Sequence, residues 1–159
     1  MLAVSLVAAG ALSTSASAQS ARVHGCVAAH LKVTRGIRMG ATGHRFTRFR
    51  IANTGAHACR LEGYPTFHFR NRAGKLIGFD SAPAGLPVKV VVIEPGYRTR
   101  TQVGTVDPAV VTAPGACRPR RAGSVDITLP HRPHVYNVAL RLRVCTTRQE
   151  RPTAYPVGF

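Results

Sequence analysis

Tyr136-Asn137-Val138-Ala139-Leu140-Arg141-Leu142-Arg143-Val144 decides the fold. Tyr136, Val138, Leu140, Leu142 and Val144 share one parity, while Asn137, Arg141 and Arg143 share the other. Successive side chains of a strand point to opposite faces, so this segment reads as a strand with one face in a core and one in water. The same period of two recurs at Phe49 to Asn53, Phe67 to Phe69, Tyr97 to Val103 and Val125 to Leu129, where Val125, Ile127 and Leu129 point inward. Almost no helical spacing interrupts it, which points to an all-β chain. Val88 to Ile93 carries apolar residues on both parities after Lys89, the pattern of a central strand buried on both sides.

Turn chemistry divides these segments at the intervals of a sandwich. Asn53-Thr54-Gly55 ends one strand, Asn71-Arg72-Ala73-Gly74 makes a hairpin loop before Leu76 to Phe79, and Glu94-Pro95-Gly96 turns the chain into Tyr97. Glycine, proline and asparagine supply the unusual or preset φ that such turns need. The Pro/Gly-rich stretches Ser81 to Pro87 and Thr105 to Pro119 read as surface crossovers. The expected architecture is an immunoglobulin-like antiparallel β-sandwich of about 7–9 strands.

The chain of 159 residues opens on an apolar run that ends in Ala16-Ser17-Ala18. A short apolar run closed by such an A-x-A pattern reads as a secretory signal peptide over residues 1–18. Ser13, Thr14, Ser15 and Ser17 break the run well short of the roughly 20 apolar residues that span a bilayer, so no transmembrane segment is expected in the mature chain. Residues 19–159 are then expected to form a single domain, secreted and in contact with the cell envelope.

Export gives meaning to Cys26, Cys59, Cys117 and Cys145, since an even cysteine count in an oxidising compartment reads as a disulfide framework. Four cysteines allow three connectivities. Cys26 to Cys59 and Cys117 to Cys145 are favoured because each closes a short loop between neighbouring segments. Cys145 shares parity with Arg141 and Arg143, and Cys26 with His30 and Lys32, so both are expected to lean toward the polar side.

Several pieces then combine: Ala52-Asn53-Thr54-Gly55, the run Cys59-Arg60-Leu61-Glu62-Gly63-Tyr64-Pro65, and the Pro95-Gly96 turn. Gly43-His44 precede the first long strand, and Cys117 and Cys145 follow at later positions. From Cys26 to about Val157 the chain resembles the secreted family called domain of unknown function 4232, of high-GC Gram-positive bacteria. The resemblance implies an exported, disulfide-bonded β-sandwich, often found in envelope lipoproteins, with no established activity. The chain departs from the family pattern at Arg60, where threonine is usual, and in lacking a lipobox before Cys26.

The resemblance picks out Asn53, Gly55, Leu61, Gly63, Tyr64, Pro65, Pro95 and Gly96 as a structural signature, part of which can be read without the family. Gly63 permits an unusual φ, Pro65 fixes the chain as it enters the next strand, and the Tyr64 hydroxyl needs a partner.

Catalytic patterns are missing. No G-x-S-x-G, H-E-x-x-H or phosphate-cradling glycine loop occurs, and nothing nominates an acid pair among Glu62, Asp80, Glu94, Asp107, Asp126 and Glu150. His131-Arg132-Pro133-His134 reads as a solvated connector rather than a metal site. The expectation is a non-enzymatic binding or structural module without metal or cofactor, with a protein-interaction domain of the envelope as the alternative and a hydrolase third.

What remains is charge. Twenty-two basic side chains, only three of them lysine, stand against six acids for a net charge of +16. Arg48 with Arg50, His68 with Arg70, Arg98 with Arg100, and Arg141 with Arg143 each alternate with an apolar face. If their strands are neighbours, like charges line up and repel, and an anionic ligand relieves the cost. If the strands belong to different sheets, or the acids pair with them, the charge is composition on a solvated surface. The expected partners are an anionic cell-wall polymer or lipid headgroups, with an envelope protein as the alternative. Nucleic acid is disfavoured, because no stacking aromatic series accompanies the arginines.

Overall fold

A computed structural model describes residues 23–159, and the expected signal peptide lies outside the described residues. The elements are β1 (Leu31–Ala41), β2 (His44–Asn53), β3 (Cys59–Leu61), β4 (Thr66–Arg70), β5 (Leu76–Ile77), β6 (Ala82–Pro83), β7 (Val91–Ile93), β8 (Arg98–Val106), β9 (Pro119–Thr128), β10 (Val135–Cys145) and β11 (Thr153–Tyr155). One 3-10 turn, Ala28–His30, precedes β1. The strands form a five-stranded sheet in the order β1-β2-β8-β11-β6, a four-stranded sheet β10-β9-β4-β5, and a ribbon β3-β7. Every pairing is antiparallel except β11 with β6.

The period of two governs burial. Phe49 and Ile51 of β2 and Val103 of β8 point into one core with Phe67 and Phe69 of β4, Val125 and Ile127 of β9, and Leu140 and Val144 of β10. The Phe49 and Phe67 rings meet at 5.5 Å. Leu129, just past β9, is buried as the alternation requires. The chain is thus an all-β sandwich with two disulfides, Cys26–Cys59 and Cys117–Cys145.

Four expectations need correction. The eleven strands among the described residues exceed the expected number, because β3, β6 and β11 are only two or three residues long and periodicity cannot register them. Val88 to Ile93 is not a central strand. Only Val91–Ile93 is paired, with β3 alone, and Val88, Val90 and Val92 are 47%, 51% and 48% exposed. Its doubled apolar parity comes from valines that face water, while Ile93 points into the core.

The cysteines do not lean outward either. Cys26, Cys59 and Cys145 are buried. The 3-10 turn at Ala28–His30 breaks the parity between Cys26 and β1, and Thr147 covers the end of β10 by donating its hydroxyl to the Ala116 carbonyl. The supposed crossovers are also partly structured. Thr105 and Val106 complete β8, and Ala82–Pro83 pairs in parallel with Thr153 and Ala154.

Two register shifts bend the sandwich edges, one between Arg35 and Arg38 in β1 and one between Ala139 and Leu142 in β10. There the sheets approach each other, and Arg35 and Arg38 donate to the carbonyls of Ala139 and Arg141 at 3.4 and 3.0 Å. Bulges and charged side chains at edges are features that discourage edge-to-edge association.

Candidate functional site

Strand register decides which arginines meet. In the five-stranded sheet Arg50 of β2 stands directly opposite Arg100 of β8, and Thr34 of β1 completes the row. One row along, Ala52 lies between Lys32 and Arg98. One row the other way, Arg48 faces Gln102, which in turn faces Tyr155 of β11. Residues opposite one another across a sheet share a face, so Lys32, Arg48, Arg50, Arg98 and Arg100 form one basic surface on the side away from Phe49 and Ile51. None has an acidic partner among the described residues. Arg48 reaches only the Gln102 amide oxygen, at 3.3 Å, and Arg100 donates to the Phe159 carbonyl at 3.0 Å.

Arg70, Arg141 and Arg143 are not part of this surface. Arg70 sits on the four-stranded sheet and is neutralised by Asp126, with the guanidinium 2.7 Å from the carboxylate. Arg141 lies in the β10 bulge, and Arg143 stands opposite Arg121 of β9. The seven candidate arginines therefore divide between two sheets, four to one and three to the other.

Three of the six acids are engaged away from the basic surface. Arg45 binds Asp107 through Nε and Nη2, and His68 contacts Asp80. Burial pushes the Asp126 carboxyl up. Hydrogen bonds from Arg70 and Asn137, with the charges of Arg70 and His68, outweigh burial and hold it below the usual carboxylate range. A lowered folded pKa stabilises the fold above the ordinary carboxylate pKa of about 4, and that contribution is lost as pH falls through the lowered value. Thermal unfolding from pH 7 to pH 2 is expected to show the melting temperature falling below about pH 4. Asp126→Asn is expected to melt lower at pH 7 and with a shallower acid slope, and an unchanged slope would contradict this assignment.

The signature residues hold the corner of the fold. Asn53 is buried, donates from Nδ2 to the carbonyls of His57 and Ile93 at 2.7 and 2.9 Å, and accepts the Gly55 N–H at 2.9 Å. It thus ties the end of β2 to the turn after it and to β7. Tyr97 N–H closes the Glu94-Pro95-Gly96 turn on the Glu94 carbonyl, and Gly96 N–H donates to the Asn53 carbonyl. Gly63 takes φ 104°, and a Cβ there would come within 3.1 Å of Pro130. The Tyr64 hydroxyl finds its partner in the Leu86 carbonyl, while Leu61 and Pro65 are buried.

Reading by alternation missed the aromatic part of the basic face. Phe46 has the parity of Arg48 and Arg50, a signal present in the sequence. Its ring fills the space over Gly104, where a Cβ would come within 3.0 Å of it. Tyr155 meets Phe46 edge-on at 6.0 Å, Phe159 packs on Tyr155 at 5.0 Å, and the Arg100 guanidinium lies 5.9 Å from the Phe159 ring. An aromatic cluster, edge-on and tilted rather than stacked, therefore borders the arginines. Tyr155 and Phe159 come from the far end of the chain, and only the pairing of β11 with β8 brings them alongside.

Among the described residues no group of three or more metal-ligating side chains occurs, and no helix is long and apolar enough to cross a membrane. A family model described as domain of unknown function (DUF4232) matches residues 26–157. No curated protein matches the chain.

Proposed function

The chain belongs to the DUF4232 family, and we propose that it acts as an extracellular binding module at the cell envelope, holding an anionic polymer on the outer face of its five-stranded sheet. The observation that carries the reading is the direct opposition of Arg50 and Arg100, flanked by Arg48, Arg98 and Lys32, none of them ion-paired among the described residues. Like charges set opposite one another destabilise a sheet, and a polyanion turns that cost into affinity. Two disulfides and the apolar leader ending in Ala16-Ser17-Ala18 favour an oxidising compartment. The role is binding rather than catalysis, with three of the six acids already engaged by Arg45, His68 and Arg70.

The test titrates the disulfide-bonded protein with heparin as a generic polyanion, from low to moderate salt. Wild type is expected to bind with steep salt dependence, and Arg50→Gln with Arg100→Gln to weaken binding about tenfold and flatten the salt slope. Arg141→Gln with Arg143→Gln is expected to change little. Equal losses from both pairs would contradict a localised face.

A second reading rests on a different surface. Val88, Val90, Val92 and Tyr97 are exposed, the last at 71%, close to the β3-β7 ribbon. Exposed apolar side chains grouped in this way suit a protein partner of the envelope. Binding through them would be insensitive to salt, which separates the two readings.

A further inference from the structure

Phe46 stands between two cavities. One, of about 620 Å³, opens toward the β1-β2 turn and is lined by Met39, Asp107, Val110 and Leu142. The other, of about 400 Å³, lies over β8 and β11 and is lined by His44, Phe46, Tyr155, Gln149, Glu150 and Arg151. The second has a composition unlike the arginine rows beside it. Two rings packed edge to face line it, together with a glutamine and a glutamate. Glu150 has no basic partner among the described residues. Arg151 is held at the rim, donating to the carbonyls of Asp80 and Ser81 at 3.2 and 3.3 Å.

A carboxylate in this position repels any anionic group brought against it and accepts hydroxyl hydrogens, so a polymer must meet it with hydroxyls and turn its anionic groups away. The chemistry that satisfies Glu150 and Gln149 is therefore a hydroxyl-rich ring, whose C–H face also suits the electron-rich face of an aromatic wall. The adjacent Arg48, Arg50 and Arg100 require that the same chain carry negative groups. We infer that the ligand of the basic face is an acidic polysaccharide, with a sugar ring seated between Phe46, Tyr155 and Glu150 and its carboxylates lying along the arginines. The inference rests on the anion-binding reading and names the class of polymer. Single-stranded nucleic acid would use the same rings and arginines, but the perpendicular rings offer no parallel slot for stacked bases.

The test measures affinity for polygalacturonate, inorganic polyphosphate and oligo-dT at one salt concentration. Wild type is expected to prefer polygalacturonate. Tyr155→Leu is expected to weaken polygalacturonate about tenfold, the size of one aromatic contact, and to leave polyphosphate unchanged. Glu150 lies in the loop before β11, so Glu150→Ala leaves the sheets intact. It is expected to weaken polygalacturonate and strengthen polyphosphate, a change of opposite sign for the two polymers. Strengthening of both alike would mean that Glu150 only repels anions, and would overturn the inference. So would polyphosphate or oligo-dT binding more tightly than polygalacturonate. If both polyanions bind through Arg50 and Arg100 while Tyr155→Leu and Glu150→Ala change nothing, the polysaccharide inference falls and the anion-binding reading stands. Binding of none of the three at low salt would overturn the reading itself.

Discussion

Phe49→Ala is expected to lower the unfolding free energy by about 3–5 kcal/mol, the range for deleting a fully buried aromatic side chain. Phe49 is completely buried in β2, between β1 and β8 of the five-stranded sheet, and its ring meets that of Phe67 from the opposite sheet at 5.5 Å. The substitution removes apolar contact from both layers at once and leaves a void that rigid strands on either side cannot close. Urea denaturation is the measurement. A midpoint shift equivalent to less than about 1 kcal/mol would contradict the assignment of Phe49 to the shared core. Arg50→Gln, one residue along and on the outer face, is expected to leave the midpoint unchanged or to raise it slightly, because it removes half of a like-charge pair.

Removing the Cys26–Cys59 bridge with Cys26→Ala and Cys59→Ala is expected to cost about 4 kcal/mol. The bridge spans 33 residues, which gives about 3.7 kcal/mol on the loop-entropy relation. Both cysteines are also part of the buried core cluster, so two sulfur atoms of packing are lost as well. The bridge fastens the segment ahead of β1 to β3, where Cys26 N–H donates to the Arg60 carbonyl and Arg60 N–H to the His24 carbonyl. Without it that segment has few other anchors. The second bridge closes a separation of 28 residues between segments that β9 and β10 already pair closely. Its loss is expected to be the milder of the two, as measured by thermal unfolding of the two double-alanine variants. The reverse order would contradict the placement of Cys26–Cys59 in the core.

The fold was legible wherever a strand was long and half-buried. Phe49, Ile51, Val125, Ile127, Leu140 and Val144 declare their face by parity, because one side of each strand is packed and the other is wet. Parity failed where a strand was too short to show a period, as in β3 and β6, and where apolar residues stayed in water, as in Val88, Val90 and Val92. It failed again at Cys26, where the 3-10 turn resets the alternation before β1.

The basic face was half legible. Alternation picks out every outward arginine pair but carries no information on which strands are neighbours. That is a long-range property, set by the pairing of β2 with β8. It selects Arg48, Arg50, Arg98 and Arg100, leaves Arg70 to Asp126, and sends Arg141 and Arg143 to the other sheet. Tyr155 and Glu150 were beyond reach for the same reason, because they follow β10 and come alongside the face only through β11.

The measurement that bears most directly on the basic face is amide chemical-shift mapping of the disulfide-bonded protein during titration with a short polygalacturonate fragment at low salt. The predicted result is a contiguous set of shifts at Lys32, Arg48, Arg50, Arg98 and Arg100, extending to Tyr155 and Glu150 and reversed by added salt. Shifts centred instead on Arg70, Arg121 and Arg143 of the four-stranded sheet, or spread evenly over both sheets, would contradict the account.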